Sequence, residues 1–284
     1  MKCFYHNDHD GHASGAIVKL ANPACEMFEF DYSGVFPMSK IVPGEVVFMV
    51  DISLGVNDMK ILNDQCDLIY IDHHKSAIMD FKSAGLKLKG LTDISDNTAA
   101  CELTWMYLFP DLDMPEVVSI IANYDTWNLS DEVLDLEYGL RSIDTNPATS
   151  MELWKDLFEN NKPNNIFSSD AIEDISDDGV TIRQYLELYN DKYVIPNMFV
   201  VEFEGLQFLT INHPRTDSTI FDGVFDKKIH DAMMVFRRCK NDWAISLYGG
   251  KDNKNDLSVI AKKYGGGGHM SSSGFRVKNL PFQI

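Results

Sequence analysis

Three short β-rich runs near the start of the chain each end in acidic or imidazole side chains, and this pattern narrows the fold more than any other feature. KCFYH, residues 2–6, runs into Asn7-Asp8-His9-Asp10; EVVFMVD, residues 45–51, ends at Asp51; DLIYIDHH, residues 67–74, ends at Asp72-His73-His74. Between them lie helix-compatible stretches, GHASGAIVKLAN and GVNDMKILNDQ, the latter with Met59 and Leu62 on its apolar side. Strands alternating with helices are what a parallel βαβ sheet requires. Ligands of open parallel sheets sit in the crevice outside the carboxyl ends of the strands. The charged groups are therefore expected on one edge of the sheet.

Downstream, residues 97–109 have a helical apolar spacing at Ala99, Leu103, Met106 and Tyr107, with Asp96 or Asn97 suited to the N-cap. VVSIIANYDTW predicts a second buried helix that delivers Asp125 at its end. The polar, acidic stretch 160–178 is expected to be a loop leading into a linker helix, VTIRQYLELYNDKYV, with the helical region ending at Pro196. From about residue 197 the texture changes. MFVVEFEGLQFLTIN predicts a hairpin turning at Glu204-Gly205, DAMMVFRR and DWAISLYG predict further strands, and DLSVIAKKY predicts a helix. That helix has Leu257, Ile260, Ala261 and Tyr264 on one face, Lys262 and Lys263 in its last turn, and Gly265 as its cap. The expected organisation is an α/β domain with a parallel sheet over residues 1–178, a linker helix over 179–196 and a smaller α+β domain over 197–284.

Composition excludes several classes. With 45% hydrophobic and 24% charged residues the chain is an ordinary globular one. No stretch approaches the roughly 18 apolar residues of a membrane span, and the first residues lack the apolar core of a secretory signal. The five cysteines are scattered, which argues against a disulfide framework or a thiolate zinc site and fits reduced thiols in a cytoplasm. Net charge is −18, yet residues 227–284 hold 11 Lys/Arg against 4 Asp/Glu, leaving −25 on the rest. Such acidity disfavours duplex binding, which rests on many cation–phosphate contacts. A short anionic ligand held near a small basic module fits better.

Alternate residues of an extended segment point the same way, so His6, Asp8 and Asp10 converge if the chain stays extended past the first run. Carboxylates and imidazoles form a mixed donor set suited to Mn²⁺, Mg²⁺ or Zn²⁺. Gly11 lets the backbone turn tightly into the next helix. Asp51 and His73-His74 add donors at the other two strand ends. Clustered carboxylates repel one another unless a cation neutralises them. Two divalent ions about 3.5–4 Å apart would relieve that repulsion and clamp both oxygens of a phosphoryl displacement. A remaining imidazole is then placed to bind a phosphoryl oxygen or protonate a leaving group.

His6-x-Asp8-x-Asp10-Gly11, Asp51 after a β-run, Asp72-His73-His74, and Asp125 after a buried helix resemble, in order and interval, the four motifs of the DHH phosphoesterase superfamily over roughly residues 1–130. That superfamily includes the exonuclease RecJ, nanoRNases with pAp phosphatase activity, cyclic-dinucleotide phosphodiesterases and family II pyrophosphatases. The resemblance implies His6, Asp8, Asp10, Asp51, His73 and Asp125 as metal ligands, with Asp51 bridging two ions and His74 facing the phosphate. It favours manganese, with magnesium or cobalt admitted by the donor set. Asn97 to Glu102 resembles the helix between the family's third and fourth motifs.

The second half resembles the same family. Gly265-Gly266-Gly267-Gly268-His269, followed by Ser271-Ser272-Ser273-Gly274-Phe275, resembles the GGGGH signature of the DHHA1 substrate-binding domain, which disfavours the pyrophosphatase branch. Glycines let backbone N–H groups approach a phosphate, and serine hydroxyls with a helix N-terminus would add donors. The implied substrate contacts are Gly266, Gly267, Gly268, His269 and Ser271. One departure stands out: nanonuclease-like members carry an Arg-Ser pair in the preceding strand, where this chain has Ser246-Leu247-Tyr248-Gly249-Gly250-Lys251. Tyr248 and Lys251 are substitutes that lack a bidentate guanidinium. Asn212-His213-Pro214-Arg215 offers Arg215 as another candidate.

His9 and His12 flank the first motif and are expected to be exposed or to lie behind the ligands. Trp105, Trp127 and Cys101 are expected in the core. The expected activity is metal-dependent hydrolysis of short oligonucleotides, dinucleotides or nucleotide phosphoesters in a cleft between two domains. Cyclic-dinucleotide phosphodiesterase, 3′,5′-bisphosphate nucleotide phosphatase and a non-catalytic metal-bound nucleotide sensor are the alternatives. The partner is a short single strand or nucleotide, with no duplex, no membrane and a homodimer allowed.

Overall fold

A computed structural model describes all residues except 33, 96, 160–168, 215, 216, 251 and 252. Contacts divide the chain into two units, Met1–Gln184 and Tyr185–Ile284.

The first unit is built on strands β1 (Lys2–His6), β2 (Glu26–Phe30), β3 (Val46–Val50), β4 (Asp67–Asp72) and β5 (Lys89–Thr92). They form one all-parallel sheet in the order β2-β1-β3-β4-β5. β1, β3 and β4 are apolar almost throughout because both faces of the sheet are covered. Cys3, Tyr5, Phe48, Val50, Ile69 and Ile71 pack on one face with Val18 and Leu103. Val18 belongs to α1 (His9–Ala21) and Leu103 to α4 (Ala100–Leu108). Phe4, Val47, Met49, Leu68 and Tyr70 face the other way, onto Met59 and Leu62 of α2 (Val56–Gln65) and Ile78 and Phe81 of α3 (Lys75–Ser83). Helices α5 (Glu116–Asp125), α6 (Asp131–Leu140) and α7 (Met151–Glu159) share a core with α1 and α4, centred on Ile17, Trp105, Ile121, Leu136 and Trp154.

The expected strands and the parallel sheet are all present, and β2 and β5 join them without having been read. Three local readings need correction. Helix α8 (Ser169–Tyr189) starts inside the stretch expected to be loop. No Pro or Gly interrupts residues 169–178, and Ala171, Ile172 and Ile175 pack on the helical core. Residues 160–168 lie outside the described residues. Met106 is 45% exposed instead of facing the core, where Cys101 and Trp105 sit. Trp127 is 46% exposed at positive φ just past α5, whereas Trp105 is buried as expected.

The second unit holds a mixed six-stranded sheet. Its strands are β6 (Phe199–Phe203), β7 (Leu206–Asn212), β8 (Ala232–Cys239), β9 (Asp242–Tyr248), β10 (Gly267–Gly268) and β11 (Ser272–Val277), in the order β10-β11-β9-β8-β7-β6. The hairpin turns at Glu204-Gly205, both at positive φ, as a two-residue turn between right-twisted strands demands. Helix α9 (Leu257–Lys263) lays Leu257 and Ala261 on Phe236, Ile245, Leu247 and Phe275.

Candidate metal centre

β1 stops at His6, and the chain does not stay extended. Asp8 caps α1, its carboxylate accepting the Gly11 N–H at 3.0 Å, so Asp10 enters from the first helical turn. A Cβ on Gly11 would lie 2.4 Å from the His6 carbonyl oxygen, so this turn requires glycine. Asp8 meets His6, whereas Asp10 joins His73 and Asp125, because the chain turns into a capped helix start instead of continuing the strand alternation.

Asp51 follows β3 at φ 58°, with its N–H held by the Ile71 carbonyl at 3.0 Å. Its carboxylate reaches both sides of the cluster. Oδ2 is 3.6 Å from His6 Nδ1, while Oδ1 is 3.7 Å from His73 Nε2 and 3.7 Å from His74 Nδ1. His6 Nδ1 is 2.5 Å from Asp8 Oδ2. His73 Nε2 is 3.7 Å from Asp10 and 3.3 Å from Asp125, at the end of α5. Within the first unit, three sets of donor atoms form, the atoms of each lying within 4.8 Å of one another: His6, Asp8 and Asp51; Asp10, His73 and Asp125; and Asp51, Asp72, His73 and His74. Every residue anticipated as a metal ligand is in this cluster, with Asp51 joining its parts.

Asp72 is fully buried and saturated with donors. Its Oδ1 accepts the N–H groups of His73 and His74 at 2.7 and 3.1 Å and faces His74 Nδ1 at 2.7 Å. Its Oδ2 accepts from Ser53 Oγ at 2.6 Å and Tyr70 OH at 2.9 Å. Asp72 therefore holds His74 through Nδ1. Asp10, 3% exposed, accepts the N–H groups of Ala100 and Cys101 at 2.9 and 2.7 Å. The N-cap of α4 is Ala99, not Asn97 or the undescribed Asp96, because Asp10 supplies the carboxylate from 90 residues away.

The electrostatics call for a cation. Burial and the charges of Asp51 and Asp125 push the Asp10 carboxyl well above its usual range. Burial, with Asp51 and Asp8 nearby, lifts Asp125 to about 6 against the pull of His73. Burial disfavours charge on the imidazoles, yet the carboxylates overcome it and hold His6 and His73 up at about 11 and His74 at about 9. Without a metal, protons on the imidazoles offset the carboxylates. A donor set of oxygen and nitrogen, crowded and anionic, fits hard to borderline divalent ions.

His9 is half-buried and His12 buried, the second of the two placements expected of them. His9 Nδ1 is 2.7 Å from the buried Glu137, which Arg141 also engages at 2.9 Å. His12 lies between Thr145 at 2.8 Å and Glu29 at 2.7 Å. Neither belongs to the donor sets. Sequence reading missed Ser53, Tyr70 and Tyr32. Tyr70 was within reach, because strand alternation puts it on the face of Asp72.

In the second unit, the glycine tract follows the C-terminus of α9, Ser272 opens β11, and the first N–H of α9, that of Leu257, donates to the Met270 carbonyl just past the tract at 3.0 Å. The tract pairs into the sheet, with Gly267 and Gly268 opposite Gly274 and Ser273. Gly265 and Gly268 have positive φ, and a Cβ on Gly266 would sit 2.0 Å from the Gly274 carbonyl oxygen. Gly267 has neither constraint, with nothing within 4 Å of an added Cβ. Ser271 is exposed and its carbonyl accepts the Gly249 N–H, while the His269 N–H donates to Ser272 at 2.7 Å. Tyr248 is half-buried at the end of β9. Arg215 and Lys251 lie outside the described residues.

No protein-family profile matches the chain. An uncharacterized protein, R106, of Acanthamoeba polyphaga mimivirus is 24% identical over 239 residues, 79% of this chain and 52% of its own length. The chain thus spans about half the length of the curated relative it matches. Among solved structures, the pGpG-specific phosphodiesterase PggH from Vibrio cholerae superposes with a TM-score of 0.51 at 11% identity, covering 98% of this chain and 93% of that one. RecJ from Thermus thermophilus, in complex with Mn²⁺, gives a TM-score of 0.47 at 14% identity over 96% of this chain and 49% of that one. The resemblance carried by the motifs holds at the level of fold: the chain has the fold of the DHH phosphoesterases.

Proposed function

We propose that this chain, with its DHH-type fold, is a metal-dependent phosphoesterase acting on short oligonucleotides, dinucleotides or nucleotide phosphoesters. The observation that carries the proposal is the convergence of His6, Asp8, Asp10, Asp51, His73 and Asp125 at the carboxyl ends of β1, β3 and α5 and just past β4. In this reading His6, Asp8 and Asp51 hold one divalent ion, and Asp10, Asp51, His73 and Asp125 hold a second. Manganese is the proposed metal, and the donor set also accepts magnesium or cobalt. When bound, such ions supply Lewis acidity that polarises a phosphoryl group and makes water nucleophilic near neutral pH.

The protein's own groups do the rest. Asp51 is fixed at the centre by its backbone bond to Ile71. Asp72 holds His74 at Nδ1, so that Nε2 meets a phosphoryl oxygen or delivers a proton to the leaving oxygen. Gly267, His269, Ser271 and Tyr248 are the proposed substrate contacts of the second unit, with Gly266 and Gly268 shaping the tract. The Vibrio protein of the same fold is a phosphodiesterase specific for pGpG, which supports a linear dinucleotide as the first substrate to try. The cysteines are free thiols, which supports a reducing, cytoplasmic setting.

The test is hydrolysis of a panel, with added Mn²⁺ and after chelation: pApA, a 3′,5′-bisphosphate nucleotide, cyclic dinucleotides, a longer single strand and pyrophosphate. The expected result is turnover of a short linear substrate that chelation abolishes. Metal binding without turnover of any substrate would overturn the enzyme reading in favour of a nucleotide sensor.

A further inference from the structure

Tyr32 lies two residues beyond β2, and its phenol oxygen accepts the Ser53 N–H at 2.9 Å, two residues beyond Asp51. Because the sheet order is β2-β1-β3, a side chain reaching from the end of β2 to the loop after β3 crosses the end of β1, where His6 stands. The rings of Tyr32 and His6 are accordingly 5.4 Å apart, and Phe30 backs Tyr32 edge-on at 5.5 Å. Ser53 is itself tied through Oγ to Tyr70 and Asp72, so the tyrosine is anchored to the framework that holds His74. Yet Tyr32 is 49% exposed. The bond accepted from Ser53 fixes the ring in place.

We infer that Tyr32 is the platform on which a base of the substrate stacks, so that the site selects nucleoside phosphoesters over inorganic polyphosphates. An anchored aromatic ring stacks on any base, because every base has a π-face. A neutral base also adds no charge beside the carboxylates. The ring adjoins His6, so the stacked base belongs to a nucleoside next to the phosphate held at the cluster. This rests on the reading of the cluster as a phosphoesterase site, and it assigns that site's substrate class.

Calorimetric binding of a linear dinucleotide and of its abasic analogue, in the presence of divalent metal, separates the two claims. Tyr32→Leu keeps apolar bulk without a π-face and should weaken the dinucleotide about tenfold or more, the range of a lost base–aromatic stack. The abasic analogue, already weaker on the native protein, should be unchanged. Tyr32→Trp and Tyr32→Phe should keep the preference for the dinucleotide. Equal effects of Tyr32→Leu on both ligands, or none on either, would overturn the inference. Turnover measured alongside addresses the enzyme reading separately: base-dependent binding without hydrolysis would remove the phosphoesterase and leave the platform standing.

Discussion

At φ 58° Asp51 occupies the left-handed region, where a residue bearing a Cβ is strained by roughly 1–3 kcal/mol. The conformation turns its carboxylate toward both His6 and His73, which a relaxed strand end would not do. A spacing argument could foresee that Asp51 ends a strand, but not that its backbone bends. His6, Asp10 and His73 were legible because each follows an apolar run closely. Tyr32 and Ser53 were not, because their partners are 21 residues apart and neither lies in a periodic segment. The glycine tract allows a sharp test at the same scale. Gly267→Val should leave melting temperature and metal content unchanged while raising KM several-fold, because its added atoms meet open space. Gly266→Ala should instead destabilise the second unit by about 2 kcal/mol, since its Cβ would overlap the Gly274 carbonyl. Equal thermal stability of the two variants would contradict the distinction.

Secondary elements carry the next level of the account. Helix α4 has Ala99 at its N-cap, whose methyl group cannot accept a hydrogen bond, and the buried carboxylate of Asp10 takes that role for the N–H groups of Ala100 and Cys101. One residue thus ties the first strand–helix turn to the fourth helix while serving the cluster. Local sequence pointed to Asp96 or Asn97 because capping is usually a short-range contact; a donor 90 residues away leaves no local trace. The same limit explains α8, where packing of Ile172 and Ile175 on the helical core makes a helix of a polar, acidic stretch. Asp10→Ala should reduce hydrogen-exchange protection of the Ala100 and Cys101 amides about fivefold or more, as expected for a lost bond of ~1 kcal/mol. The α4 amides that bond within the helix should be spared. Unchanged protection at Ala100 and Cys101 would show that the helix start is held by something else.

For the whole molecule, the order of strands and helices decided what could be foreseen. A parallel sheet places the ends of β1, β3 and β4 side by side whatever the loops do, so the edge that carries the cluster followed from alternation alone. The second unit was readable as strands and one helix, but the pairing of its glycines with β11 left no periodic trace. The acidity of the chain has a local counterpart in the cluster, where carboxylates from distant segments are held together at an electrostatic cost that bound cations relieve. That cost, retained in a folded protein, is the physical basis for the proposed dinuclear centre. Its most direct test is the number of ions bound per chain after equilibration with Mn²⁺, counted by elemental analysis on the native protein and on Asp51→Ala. The account expects two ions in the native protein and at most one in the variant. A native protein that binds none, or a variant that retains both, would contradict it.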